Sequence, residues 1–212
     1  IERCINSALS ITDSIYVVDS KSTDQTVDIA KRYGVRLLSR EFDNHSQQFN
    51  WALEQIDRCD WVIRIDADEY LTAELVASIR TAVESNSSVF DGYAFPRRIA
   101  FLGNLIRHGG VFPVEVVRMF RYGLGKVEPR LMDEHILVDG RVLALKGELI
   151  DDNKHSLTWW IDKHNRYASL EALEMLLSRG INASDGKLTG KTAMRRKIKS
   201  KYYKLPVSIR SV

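Results

Sequence analysis

Three short apolar runs in the first half of the chain, Ser14–Asp19, Val35–Leu38 and Trp61–Ile65, alternate with segments at helical spacing. That alternation constrains the fold more than any other feature. The runs are rich in β-branched residues and stop at polar ones, as strands buried on both faces of a parallel sheet do. The segments between them read as helices. Thr23-Asp24 opens the first, which runs through Tyr33 and is closed by Gly34. Ser46 to Ile56 carries Phe49, Ala52, Leu53 and Ile56 on one side, and Thr72 to Val83 is N-capped by Thr72. Residues 2–10 read as the end of a further helix. A strand–helix repeat of this kind requires right-handed crossovers that cover a parallel sheet. Ligands of such sheets sit at the carboxyl ends of the strands, which singles out Asp19 and the run Asp66-Ala67-Asp68-Glu69.

The pattern changes near residue 90. Gly92–Phe101, Val114–Phe120 and Val142–Lys146 read as strands, Ser156–Arg179 as a long helix, and Lys191–Tyr203 as a last helix that stops before Pro206. The expected fold is α/β, with a mostly parallel sheet whose second half is mixed, over residues 1–185. A basic amphipathic helical tail over 186–212 is expected to follow. After Asp185 there are nine Lys/Arg and no acid, whereas the preceding residues carry 22 basic against 28 acidic side chains. An acidic body with a basic tail is a statement about partners. With 44% hydrophobic and 28% charged residues, disordered and fibrous classes are excluded. Cys4 and Cys59 supply neither a disulfide framework nor a zinc cluster and are expected to act as small hydrophobes. No apolar run has the length of a membrane-spanning helix. The chain opens on Ile1, already in a helical pattern, so a fragment trimmed at both ends is expected.

Several groups carry chemistry. Asp66-x-Asp68, where a strand ends in a loop, can hold a hard divalent cation such as Mg²⁺ or Mn²⁺, with water and phosphate oxygens completing the shell. A departing pyrophosphate gains charge that such an ion neutralises; the alternative is a solvated acidic loop. Asp19, at a strand end, can accept from a base or ribose, whereas Ser22, Thr23 and Asp24 are capping residues. On the long helix, Trp160, His164, Tyr167 and Glu171 share a face, and Trp160 and Tyr167 are expected in a core stripe. Lys163, His164 and Arg166 would lower the barrier for a leaving diphosphate if they lie beside it, and His155 is a candidate for approaching the metal. Arg97-Arg98 and Arg107-His108 either grip phosphate or are exposed charges at strand ends. In the tail, Met194, Ile198, Tyr202 and Leu205 lie among Arg195, Arg196, Lys197, Lys199 and Lys201. That arrangement suits an anionic membrane surface or packing on the domain. Nucleic acid is not an expected partner, since the body is acidic and carries no nucleic-acid motif.

Val17-Val18-Asp19-Ser20-Lys21-Ser22-Thr23-Asp24-Gln25-Thr26 resembles the VDDGSTDGT signature of family 2 glycosyltransferases, with Ser20 for the second Asp and Lys21 for Gly. Its VDSxSTDxT form resembles the branch of lipopolysaccharide-core and exopolysaccharide sugar transferases. Gln48-Phe49-Asn50-Trp51-Ala52-Leu53 is similar to that branch's QxNxAL segment, and Trp61–Glu69 to its strand plus DxDE. Arg107-His108-Gly109-Gly110, Arg118-Met119-Phe120, Met132-Asp133-Glu134-His135-Ile136 and Trp160–Tyr167 follow in the same order.

The resemblance implies a GT-A (Rossmann-like) fold and inversion at a sugar's anomeric carbon. It also implies a nucleotide-sugar donor, a saccharide or lipid-linked acceptor, and Mg²⁺ or Mn²⁺. By position, Asp19, Ser20, Gln48, Asn50 and Asp66 would serve the nucleotide, and Asp68 with Asp66 the metal. Glu134, or failing it Asp133, would be the general base. Arg97, Arg107, His108, Lys163 and His164 are candidate diphosphate or acceptor contacts. A cytoplasmic enzyme, peripheral at the inner face of the membrane, is expected. The family's first strand, VxIPTYNE-like and central in its sheet, has no counterpart here. A gap in the sheet and an unstable, inactive fragment are therefore expected. The competing class is a non-catalytic module of the same fold that binds a carbohydrate or a protein. A nucleotidyltransferase of similar topology is a third reading.

Overall fold

The structure is a computed structural model that describes residues 1–85, 89–109, 112–130 and 133–178, together with 194, 197 and 198. Gly110, Met132 and most of the 186–212 tail lie outside the described residues; Met194, Lys197 and Ile198 are helical. The first part runs α1 (Glu2–Leu9), β1 (Tyr16–Asp19), α2 (Thr26–Arg32), β2 (Arg36–Ser39), α3 (His45–Gln55), β3 (Trp61–Ile63), β4 (Glu69–Leu71) and α4 (Ala73–Glu84). The second part adds β5 (Gly92–Phe101), β6 (Asn104–Leu105), β7 (Val114–Arg121), β8 (Gly125–Val127), β9 (Ile136–Val138), β10 (Val142–Ala144), β11 (Leu149–Asp152) and α5 (Leu157–Ser178).

The fold is α/β with a mixed sheet. Among the described residues β1 and β2 form a two-stranded parallel sheet, with no ladder to the seven-stranded sheet that carries β3. That larger sheet runs β3-β7-β5-β11-β4, and β6 and β10 also pair with β5. The parallel pairings are β1–β2, β5–β10 and β5–β11; β3–β7, β5–β7, β5–β6, β4–β11 and β8–β9 are antiparallel. The parallel share is smaller than the alternation alone implies, because β3 is flanked by β7 rather than by β1.

Local chemistry accounts for the helix ends. Asn44 caps α3 by accepting from the Gln47 N–H, and Thr72 caps α4 by accepting from the Leu75 N–H, each satisfying a free first-turn donor. Asp24 accepts from the Thr26 N–H, so α2 begins three residues later than Thr23. Lys21, where the resembled signature has glycine, adopts φ 61°, the left-handed conformation that glycine enters without cost.

Period-two alternation on β7 feeds two cores. Met119 joins Leu71, Leu75, Ile79, Tyr93, Phe95 and Leu149 under α4. Phe120 joins Val62, Val127, Ile136 and Val138, with Phe49, Leu53 and Ile56 of α3 packed against them. Burying such side chains contributes about 1.5–3 kcal/mol each. α1 packs on β4, where Arg3 lies over the Tyr70 ring and donates to Asp152. Cys4 is buried, and burial pushes its thiol up to about 12. Cys59 is exposed rather than buried.

Candidate active site

Asp66 leaves the sheet just after β3, and Glu69 re-enters it as the first residue of β4. The turn between them is closed from both sides. The Glu69 N–H donates to the Asp66 carbonyl at 2.8 Å, and the Asp66 N–H donates to Glu69 Oε2 at 2.9 Å. Arg118, on β7, donates from Nη2 to Asp66 Oδ2 at 3.0 Å and to Glu69 Oε1 at 2.5 Å. Arg64 Nε donates to Asp66 Oδ1 at 3.1 Å. Both Asp66 oxygens are thus held by guanidiniums. Asp68, two positions on, is tied to β11 and its continuation: the Asp152 N–H donates to the Asp68 carbonyl, and Asn153 Nδ2 donates to Asp68 Oδ2, each at 3.0 Å.

The electrostatics follow from this wiring. Burial acts to raise Asp66, but Arg118 and Arg64 outweigh it and hold its carboxyl well below the usual carboxylate range. Glu69 is 2% exposed. Burial, with the Asp66 charge adding to it, pushes its carboxyl up to about 7 against the pull of Arg118. Asp151, cross-strand from Glu69, is raised by burial and by the neighbouring Asp68 charge, and Arg97 and Lys163 oppose the shift.

Glu134 is linked to the same turn through Arg64. Arg64 Nη2 lies 3.9 Å from Glu134 Oε1, and the Arg64 guanidinium sits over the Phe49 ring at 5.3 Å. Asp133, by contrast, occupies a left-handed turn with φ 55°. The loop is pinned beside Glu134 where the His135 N–H donates to Glu128 Oε1 at 2.9 Å.

The other sequence candidates fall into separate groups. Asp19 is buried and accepts the Ser22 N–H on both carboxylate oxygens. Gln48 Nε2 donates to Ser20 Oγ at 2.7 Å, joining α3 to the end of β1. Asn50 spends its amide on the Val127 backbone, donating to the carbonyl at 2.8 Å and accepting the N–H at 2.9 Å, which is an architectural role. Arg97 and Lys163 flank Asp151, whereas Arg107 and His108 are exposed on the loop after β6.

On α5 the expected core stripe does not form. Trp160 is 38% exposed, with His164 stacked on it at 3.7 Å and Phe101 edge-on at 5.3 Å. Lys163 lies over Trp159 and Tyr167, and His155 stacks on Trp159. Lower on the helix, Arg130 pairs with Glu174 at 3.2 Å. The helix therefore makes its contacts through single side chains and leaves Leu157, Ile161, Leu170 and Leu173 exposed.

The sequence reading missed Arg64, Asp151 and Asn153 as site residues, and the clamping roles of Arg118 and Glu69. For Asp151 a signal was present: Leu149-Ile150-Asp151-Asp152 repeats the form of Ile65-Asp66, apolar residues that stop at a carboxylate.

Whether this set suits a divalent ion can be judged from its free oxygens. Among the described residues no three His, Cys, Asp or Glu side chains converge as a cage. Asp68, half-buried, has one oxygen committed to Asn153. A carboxylate of this kind is chemically compatible with the Mg²⁺ pattern of one or two carboxylates completed by substrate phosphates and water.

Comparison with known proteins identifies the framework. The family model "Glycosyl transferase family 2" matches residues 1–127 of the 212. An uncharacterized glycosyltransferase of Rickettsia bellii is 45% identical over 75 residues, 35% of this chain and 25% of that protein. One from Rickettsia conorii is 40% identical over 87 residues, 41% of this chain and 30% of its own length. A TPR repeat-containing protein of Synechococcus elongatus is 29% identical over 150 residues, 69% of this chain and 34% of that protein. The chain thus matches about a quarter to a third of the length of these relatives. The α/β architecture with its mixed sheet is the one expected of a GT-A fold, and the chain belongs to glycosyl transferase family 2.

Proposed function

We propose that this chain is the catalytic part of an inverting glycosyltransferase. It would move a sugar from a nucleotide-sugar donor to a saccharide or lipid-linked acceptor, in the synthesis of a surface polysaccharide or lipopolysaccharide. The observation that carries the proposal is the placing of Glu134 across Arg64 from the turn that bears Asp66 and Asp68. One carboxylate group is wired to hold a donor, and a second stands within reach to accept a proton.

In this reading Asp66, fixed by Arg64 and Arg118, orients the ribose or nucleotide side, and Asp19 accepts from the nucleoside. Asp68 would hold Mg²⁺ or Mn²⁺, and the ion when bound would supply charge neutralisation for the departing diphosphate. Glu134 takes the proton of the acceptor hydroxyl. The hydroxyl oxygen then bonds to the anomeric carbon from the face opposite the nucleoside diphosphate, which leaves with the electrons of the broken bond, so configuration inverts. Arg97 and Lys163, which act on Asp151, are suited to the diphosphate charge. No described helix is long and apolar enough to cross a membrane. Contact with an anionic lipid surface through the basic stretch after Asp185 is proposed on its charge alone.

The test is calorimetric titration of the complete protein with UDP and with GDP, in Mn²⁺ and in EDTA. One nucleotide is expected to bind in Mn²⁺ only, and Asp68→Ala is expected to abolish that binding. Absence of binding for both nucleotides by a folded protein would reject a UDP- or GDP-sugar donor and favour a non-catalytic carbohydrate-binding module.

A further inference from the structure

Asp66 is clamped twice, by Arg64 on Oδ1 and by Arg118 on Oδ2. Either guanidinium alone would anchor it. Glu134 is in the opposite position, since among the described residues the cation that reaches it is Arg64. The Arg64 side chain is 13% exposed and that of Glu134 is 17% exposed, so screening by water is limited at both ends. Phe49 beneath the guanidinium restricts where the fork can go. The separation of 3.9 Å is an ion-pair distance but too long for a hydrogen bond. A general base needs that arrangement: its carboxylate is steered, while the oxygen stays free to accept a proton from the acceptor.

Building on the glycosyltransferase reading above, we propose that Arg64 is a positioning residue that sets the general base Glu134 against the donor-holding Asp66. It acts through Glu134, not on substrate. Its planar fork does two jobs at once, Nε on Asp66 and Nη2 toward Glu134, which the single nitrogen of a lysine cannot do. Arg118 keeps the Asp66–Glu69 turn closed whether or not Arg64 is present, so the two roles separate experimentally.

The first arm needs no substrate. Hydrogen exchange of the complete protein is compared between wild type and Arg64→Gln. Exchange at 133–136 is expected to rise about tenfold, while 66–69 stays protected. Unchanged exchange at 133–136 overturns the tether, whatever the protein's activity. The second arm measures release of nucleoside diphosphate from UDP-glucose and GDP-mannose. Arg64→Gln is expected to lower kcat about 100-fold while donor KM stays within about threefold. Arg64→Lys should restore part of the loss. In a Glu134→Gln background, adding Arg64→Gln should change kcat by less than about threefold, because the two act as a unit. A full further loss in that background, or a donor KM that worsens in step with kcat, overturns the proposal. If the wild type neither binds nor turns over a nucleotide sugar while the exchange arm behaves as expected, the function reading fails and the tether stands as architecture, not as a positioning device.

Discussion

Replacing Arg118 by methionine tests the wiring of the site at its most buried point. The arginine side chain is 7% exposed and its Glu69 partner 2%. Methionine has a similar length and keeps the apolar packing, so the perturbation is mainly the loss of charge and of two hydrogen bonds. Asp66 retains Arg64, but among the described residues Glu69 is left as a buried carboxylate with no cation within hydrogen-bond reach. Removing one member of such a pair costs about 3–5 kcal/mol. For a chain of this size that lowers Tm by roughly 10 °C. The assay is urea unfolding at pH 7.5 followed by far-ultraviolet circular dichroism, comparing midpoints at constant m. A second variant isolates the cause. Glu69→Gln in the Arg118→Met background keeps an acceptor for the Asp66 N–H while removing the stranded charge, and about half of the lost stability should return. A single-variant cost below about 1 kcal/mol would refute the reasoning, as would a double variant no more stable than the single one.

Three further outcomes are expected. A carboxyl raised by burial keeps a proton that the unfolded chain has already released, so Glu69 makes stability fall as pH climbs from its ordinary 4.5 through about 7; the difference in urea midpoint between wild type and Glu69→Gln, measured from pH 4.5 to 8, should show this slope, and a flat difference would contradict it. Gly147 has φ 89°, and a Cβ there would lie 2.2 Å from the Leu75 backbone nitrogen in the first turn of α4, so Gly147→Ala should cost more than about 2 kcal/mol by thermal unfolding. Asn50→Ala strands the Val127 N–H and carbonyl and should cost about 1–3 kcal/mol, measured the same way; a neutral result would remove the architectural role given to its amide.

Much of the frame was legible from the sequence because it is written locally. The apolar runs at β1, β2 and β3, the cap Thr72, and the signature segment in which Lys21 replaces a glycine all depend on residues within a few positions of one another. So does the placing of Asp66 and Asp68 at a strand end. What stayed hidden depends on partners far along the chain. Glu69–Leu71 reads as the tail of an acidic loop and becomes β4 only because Leu149–Asp151 lies beside it. The short strands β8 and β9 hold three residues each and pair with one another across the loop that bears Glu134. Arg64 and Arg118 look like ordinary strand charges until the antiparallel pairing of β3 with β7 brings them to opposite oxygens of Asp66. Trp160 shows the converse error: helical spacing marks a shared face, but not whether anything covers it.

The placement of β4 at the far edge, joined through β11, has a consequence for biosynthesis. The acidic turn is among the earlier parts of this chain to leave the ribosome, yet its two shoulders rest on strands made much later, β7 for β3 and β11 for β4. Until residues 149–152 have emerged, the turn has a carboxylate-rich sequence without the backbone ladder that fixes its shape. Contacts of such sequence separation form slowly. A nascent chain arrested short of Asp152 should therefore carry the motif but lack its folded shape, so that the donor binding proposed for this turn would become possible only near the end of translation of this region.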